Sequence, residues 1–149
     1  MTWDRYKKIF LDQNRIDNGK AFIKENLKVL KQAEKDFGVP KEIIVSILGV
    51  ETRYGKIMGN HRVLDSLTTL GFDFPRRADF FRQELINFFI LCRENNLDPL
   101  SINGSYAGAM GYGQFISSSY RAYAVDYDGD NNADSVSYTH LTLPTNVQV

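Results

Sequence analysis

The chain has 149 residues with eighteen basic and eighteen acidic side chains, so its formal charge is zero and binding driven by phosphate neutralisation or by anionic lipid is disfavoured. Hydrophobic residues make up 43% and aromatics 13%, which excludes a disordered or low-complexity chain. A chain of this length is about one domain's worth and can bury roughly two-thirds of its unfolded surface.

No run of eighteen apolar residues occurs, and Met1 to Phe10 has neither the apolar run nor the small-residue cleavage site of a secretory signal, so the chain as given reads as soluble with its compartment open. From Asn18 to Phe37 the apolar positions Phe22, Ile23, Leu27, Leu30 and Ala33 recur at three- and four-residue steps, which predicts one amphipathic helix stopped by Gly38 to Pro40. Pro40 suits the first turn of a second helix, in which Ile43, Ile44, Ile47, Leu48 and Glu51 recur at helical spacing until Gly55 and Gly59. A short third helix is expected around Asp65 to Leu70. A fourth, from near Pro75 to about Asn95, carries the apolar stripe Phe81, Leu85, Phe88 and Cys92 and ends before Asp98 and Pro99.

Beyond Ile102 the composition changes, with four glycines between Gly104 and Gly113 interleaved with Tyr106 and Tyr112, a loop in which backbone can approach a ligand closely. Ser117 to Tyr123 is predicted as a helix, and Asp126 to Asp134 is an acidic loop. There is no internal repeat and no sustained period of two, so the fold class is mainly α with little sheet. One cysteine, Cys92, rules out an internal disulfide, and two histidines, His61 and His140, leave no Cys/His set for zinc. Any metal should therefore be held by oxygen.

Glu51 falls four residues after Ile47 and eight after Ile43, on the face expected to enter the core. A bland account places it at a frayed helix end, paired with Arg53 or Arg62. The alternative is chemical: a desolvated carboxyl favours its neutral form, the state needed to protonate a glycosidic oxygen near neutral pH. The tyrosines of the glycine-rich segment are suited to stacking on sugar faces.

The stretch GVETRYGKIMGNHRVLDSLTTLGFDFPRRADFF from Gly49 to Phe81, followed by GSYAGAMGYGQFISSSYRAYAVDYDGD from Gly104 to Asp130, resembles the lytic murein transglycosylase B family, over about Trp3 to Asp134. The resemblance implies a lysozyme-like helical core and cleavage of peptidoglycan between N-acetylmuramic acid and N-acetylglucosamine. It implies Glu51 as the single catalytic acid. Ser105 would contact Glu51 or a sugar substituent, and Gln114 would hydrogen-bond the substrate. Tyr6 would line the cleft, and Arg76 and Arg77 would face the peptide side of the polymer. Ordinary glycosidases need two carboxyl groups. In this family one suffices, because the muramic acid 6-hydroxyl attacks the anomeric carbon of its own sugar and closes a 1,6-anhydro ring. The same acid would serve a lysozyme-type hydrolase if water attacked instead, and a catalytically weak peptidoglycan-binding fragment is the reading from another class. The implied setting is the periplasmic side of the bacterial cell envelope, with glycan strands as partner, no nucleic acid, and a monomeric chain.

Asp126, Asp128, Asp130 and Asn132 occupy the first four ligand positions of an EF-hand-type loop over 126–134, which points to a weak structural Ca2+ site. The late bidentate acid of such loops is missing: position twelve is Ser137, and the family's slightly later acid falls near His140. The extent of the resemblance implies a partial catalytic domain over 1–134. The tail from Ser135 to Val149 departs from the family pattern and reads as foreign or disordered sequence, which leaves the domain incomplete.

Overall fold

A computed structural model describes residues 2–126, so Asp128, Asp130, Asn132 and the tail from Ser135 lie outside the described residues. The chain divides into two compact units, Met1–Ile57 and the part from Met58 onward.

The first unit is built from four helices, α1 (Trp3–Phe10), α2 (Gln13–Glu25), α3 (Leu27–Phe37) and α4 (Lys41–Thr52). The single helix expected from Asn18 to Phe37 is two. Asn26 separates them at φ −107° and ψ 21°, and its side-chain amide donates to the Phe22 carbonyl at 3.0 Å beside its own backbone N–H. A polar side chain that bonds its own preceding turn bends a helix without disturbing the apolar spacing on either side, which is why periodicity missed the break. Asp12 caps α2 by accepting from the Arg15 amide at 2.8 Å, satisfying one of the amides a helix start leaves open. Gly38 ends α3 in the left-handed region at φ 70°, a conformation glycine takes without steric cost. Helix α4 packs against α2 and α3, burying Ile44, Val45, Leu48, Gly49 and Thr52 together with Leu30 and Ala33 of α3.

The second unit centres on α5 (Val63–Phe72) and α6 (Ala78–Glu94), preceded by a 3-10 turn at Pro75–Arg77 and joined by α7 (Ser117–Tyr123), which packs on α6. Its core holds Val63, Leu67, Phe81, Phe88, Leu91, Cys92, Ile102, Met110 and Tyr120. The predicted stripe on α6 is thus the buried one, and Leu85 packs against it. Cys92 is a core residue whose thiol is pushed above its usual range by burial. Sheet among the described residues is limited to β1 (His61–Arg62) and β2 (Asn103–Gly104), paired antiparallel with His61 opposite Gly104. Met110 then bridges to both Gly104 and Phe115, so the glycine-rich segment is folded back on itself as an ordered loop. The chain is mainly α, as the sequence predicts, and no described helix is long and apolar enough to cross a membrane.

Helix α7 is held at both ends. Its N-cap residue Ile116 supplies no side-chain bond; instead Glu84 of α6, 4% exposed, accepts from the Ser118 amide at 2.9 Å. Buried carboxylates are stable only when charged or polar partners replace water, and a helix start supplies such partners. At the other end Arg121 grips Glu94 through two hydrogen bonds of 2.9 Å and reaches Asn87 at 2.8 Å.

Candidate active site

Glu51 is the next-to-last residue of α4, and it is exposed. This overturns the expectation that it faces the core. Ile43 and Ile47, its partners at helical spacing, are each 53% exposed, whereas Ile44, Leu48 and Thr52 form the buried stripe one residue over. Helix α4 is apolar on both faces, so periodicity alone could not choose which face enters the core. The carboxylate therefore stands on an apolar but open face, and the described residues do not remove it from water. No pairing of Glu51 with Arg53 or Arg62 is present among the described ion pairs; Arg62 instead holds Asp65 at 2.8 Å.

The four residues after Glu51 explain why its position is fixed. Arg53, Tyr54 and Gly55 all have positive φ, at 50°, 62° and 81°. Non-glycine residues enter that region only where surroundings enforce it. Here the enforcement is visible. Thr52 is fully buried, donating to the Leu48 carbonyl at 3.2 Å and accepting from the Gly55 amide at 2.9 Å. The Tyr54 and Ile57 amides donate to the carbonyls of Leu48 at 3.1 Å and Thr52 at 2.8 Å. Tyr54 inserts its ring beside Phe22 and donates from its hydroxyl to the Arg15 carbonyl at 2.8 Å. Its hydroxyl is pushed above the usual tyrosine range, chiefly by burial. A Cβ at Gly19 or at Gly49 would stand 2.7 Å from that oxygen, so both helices need glycine where the ring passes. Thr52 and Tyr54 were missed as supporting residues in the sequence, although both lie inside the ETRYG motif itself.

Ser105 and Gln114 both lie on the folded loop between β2 and α7. The Ser105 hydroxyl oxygen accepts from the amides of Ala109 at 3.0 Å and Ala107 at 3.3 Å. Its lone pairs are thereby engaged, and its hydroxyl hydrogen is left as the group able to reach outward. Gln114 sits at φ 51°, and its side-chain nitrogen donates to the carbonyls of Met58 and Gly111, both at 3.1 Å. With the amide hydrogens so used, its remaining hydrogen-bonding atom is the carbonyl oxygen. Gly59 and Gly104 meet so closely that a Cβ at Gly59 would lie 2.0 Å from the Gly104 carbonyl oxygen, which fixes this loop against the segment following Met58.

The other predicted residues lie on α1, on the 3-10 turn and just after α7. Tyr6 is 46% exposed on α1, its ring between those of Trp3 at 6.0 Å and Phe10 at 5.2 Å. Arg76 and Arg77 are exposed on the 3-10 turn; Arg77 lies over the Phe80 ring at 4.3 Å, while Arg76 is solvated. Asp126 is half-buried and is the one member of the predicted metal set among the described residues.

Over residues 1–140 the sequence matches the Transglycosylase SLT domain, and the chain belongs to that family. Among its relatives is the membrane-bound lytic murein transglycosylase B of Escherichia coli, 50% identical over 131 residues that make up 88% of this chain and 36% of that protein. The E. coli lytic transglycosylase Slt35 in complex with calcium superposes with a TM-score of 0.85 at 49% identity, covering 90% of this chain and 44% of that one. SltB3 of Pseudomonas aeruginosa in complex with NAG-anhNAM-pentapeptide gives a TM-score of 0.85 at 32% identity, over 91% of this chain and 36% of that one. The chain thus spans less than half the length of the relatives it matches.

Proposed function

We propose that this chain carries the acid-bearing part of a peptidoglycan lytic transglycosylase, acting on glycan strands in the bacterial cell envelope on the periplasmic side. The observation that carries the reading is Glu51 itself: an accessible carboxyl group on the last turn of α4, backed by a turn whose every strained residue is tied down. The names of the relatives support the reaction class, and the anhydro sugar named with SltB3 supports the product.

Glu51 in its neutral form gives its proton to the oxygen linking N-acetylmuramic acid to N-acetylglucosamine, and the bond to the anomeric carbon breaks with the electron pair going to that oxygen. Glu51, now a carboxylate, takes the proton of the muramic acid 6-hydroxyl as that oxygen attacks the anomeric carbon. No water is consumed, and the product end is a 1,6-anhydro ring. The second step is intramolecular, so no second carboxylate has to activate a nucleophile. Since the described residues leave Glu51 in contact with water, desolvation of the acid would come from the bound glycan covering the apolar face of Ile43, Ile47 and Val50. Ser105 donates its hydroxyl hydrogen to a sugar substituent, and Gln114 accepts through its carbonyl oxygen. Tyr6 offers a ring face to the sugar chain. Arg76 and Arg77 face the stem peptide, Arg76 carrying the freer charge.

Asp126, Asp128, Asp130 and Asn132 would hold Ca2+. They offer only oxygen donors, the chemistry a hard cation requires, and the calcium named with Slt35 supports the choice. Bound there, the ion would offset the negative charge of these three aspartates; it takes no part in the proton transfers.

The test is Glu51→Gln, which keeps shape and hydrogen bonding but cannot transfer a proton. Release of soluble products from purified murein should fall by more than about a hundredfold, the lower end of what general acid catalysis supplies, with the thermal unfolding curve unchanged. Appreciable residual release would remove Glu51 from this role.

A further inference from the structure

The second unit carries a groove of about 390 Å3 lined by Asn60, His61, Ser66, Thr69 and Tyr106, with the Arg62 and Asp65 pair along its wall. None of these residues belongs to the set assigned above. We propose that the groove is a further glycan subsite that takes one neutral N-acetylhexosamine residue, an inference that rests on the glycan reading of the chain and extends it.

Charge argues for a neutral ligand. Arg62 is the groove's strongest cation, but its Nε and Nη2 donate to the two carboxylate oxygens of Asp65 at 2.9 and 2.8 Å. The Asp65 carboxylate offsets the guanidinium charge at contact distance and would repel an incoming carboxylate or phosphate, so the groove offers no net positive charge to an anion, while the Nη1 hydrogens stay available to a neutral oxygen acceptor. Shape and polarity argue for a sugar. Tyr106 is 74% exposed on the groove's rim, a flat apolar face with a polar edge and no packing role to explain it. Opposite chemistry is supplied by the amide of Asn60 and the hydroxyls of Ser66 and Thr69, the few orienting polar groups that a ligand site needs. The walls are formed before any ligand arrives, since His61 and Arg62 are strand residues paired to Gly104 and Asn103.

The groove is also continuous with the loop that bears Ser105 and Gln114. Tyr106 directly follows Ser105, and the Ser66 hydroxyl donates to the Ser105 carbonyl in a long contact of 3.5 Å. A sugar seated on Tyr106 would therefore be gripped by the same loop that presents Ser105.

The test is a titration of the 15N-labelled full chain with chitotetraose, an uncharged N-acetylglucosamine tetramer, alongside Tyr106→Ala. The expected result is amide shift changes at Asn60, Ser66, Thr69 and Tyr106, and a dissociation constant weakened by about five- to tenfold in the variant, a loss of the size of one aromatic contact. The melting temperature should not move, because the ring is exposed. Changes confined to residues near Glu51 and Gln114, with equal affinity in both proteins, would overturn the subsite and leave the glycan reading standing. No shift anywhere would overturn both. Tighter binding at these four amides by an acidic pentapeptide than by the tetramer would also overturn it, since the groove would then select charge.

Discussion

Replacing Thr52 by valine probes the turn that fixes Glu51 while leaving Glu51 untouched. Valine fills nearly the same volume, so the fully buried site gains no cavity, and the change reduces to the loss of one hydroxyl. The Leu48 carbonyl loses the Thr52 donor at 3.2 Å but keeps the Tyr54 amide at 3.1 Å, so it is not orphaned. The Gly55 amide does lose its acceptor at 2.9 Å, in a half-buried position. Leaving such a donor unmet costs about 1–2 kcal/mol. Urea unfolding followed by circular dichroism should show that loss, and murein release by the folded protein should fall further, because the turn at Arg53 to Gly55 is released. Thr52→Ser is the control: it keeps the hydroxyl, gives up one methyl at about 1 kcal/mol, and should retain activity. Stability of the valine variant within about 0.3 kcal/mol of wild type, an effect below any lost buried hydrogen bond, would refute the reasoning. So would a serine variant less active than the valine one.

Two further outcomes are expected. The Glu94 carboxyl is held below the usual carboxylate range, first by the hydrogen bond from Arg121 and secondarily by its charge, so the clamp on α7 stabilises the fold above the ordinary carboxylate pKa and is lost as pH falls through the depressed one. Melting temperature measured from neutral pH downward should therefore drop in the acid range, with a shallower drop in Glu94→Gln; parallel curves would contradict this. For the acidic loop, calorimetric titration should give a calcium dissociation constant of about millimolar, as expected of a loop without its late bidentate acid, and only a modest rise in melting temperature. Asp128→Asn combined with Asp130→Asn should abolish the heat, and an unchanged heat would remove these residues from the site.

Much of the fold was legible because it follows from apolar spacing. The stripe Phe81, Leu85, Phe88 and Cys92 identified the core face of α6, and Ser117 to Tyr123 is helical over the predicted span. What escaped was decided by polar atoms or by tertiary choice. Asn26 splits α2 from α3 by a side-chain bond that leaves the hydrophobic period intact. Helix α1, with no buried residue, has no core stripe to announce it. Glu84 lies in the buried stripe of α6 as a carboxylate, and only the start of α7 explains why it is there. In α4 both faces are apolar, and spacing alone points equally to the face of Ile43, Ile47 and Glu51, which is exposed, and to that of Ile44, Leu48 and Thr52, which is buried. The motif around Glu51 stands whichever face is buried, because ETRYG is the sequence of a strained turn held by Thr52 and Tyr54, and the two glycines that admit the Tyr54 ring lie outside the motif, Gly49 two residues upstream and Gly19 on another helix.

In the proposed reaction Glu51 serves both steps and the 6-hydroxyl, not water, closes the ring. Mass spectrometry of the products released from purified murein tests this most directly. The expected products are muropeptides ending in 1,6-anhydromuramic acid, with no added water and no reducing end, and they should disappear in Glu51→Gln. Products carrying the mass of one added water and a reducing end would contradict it, and would make the chain a hydrolase with the same acid and a different nucleophile.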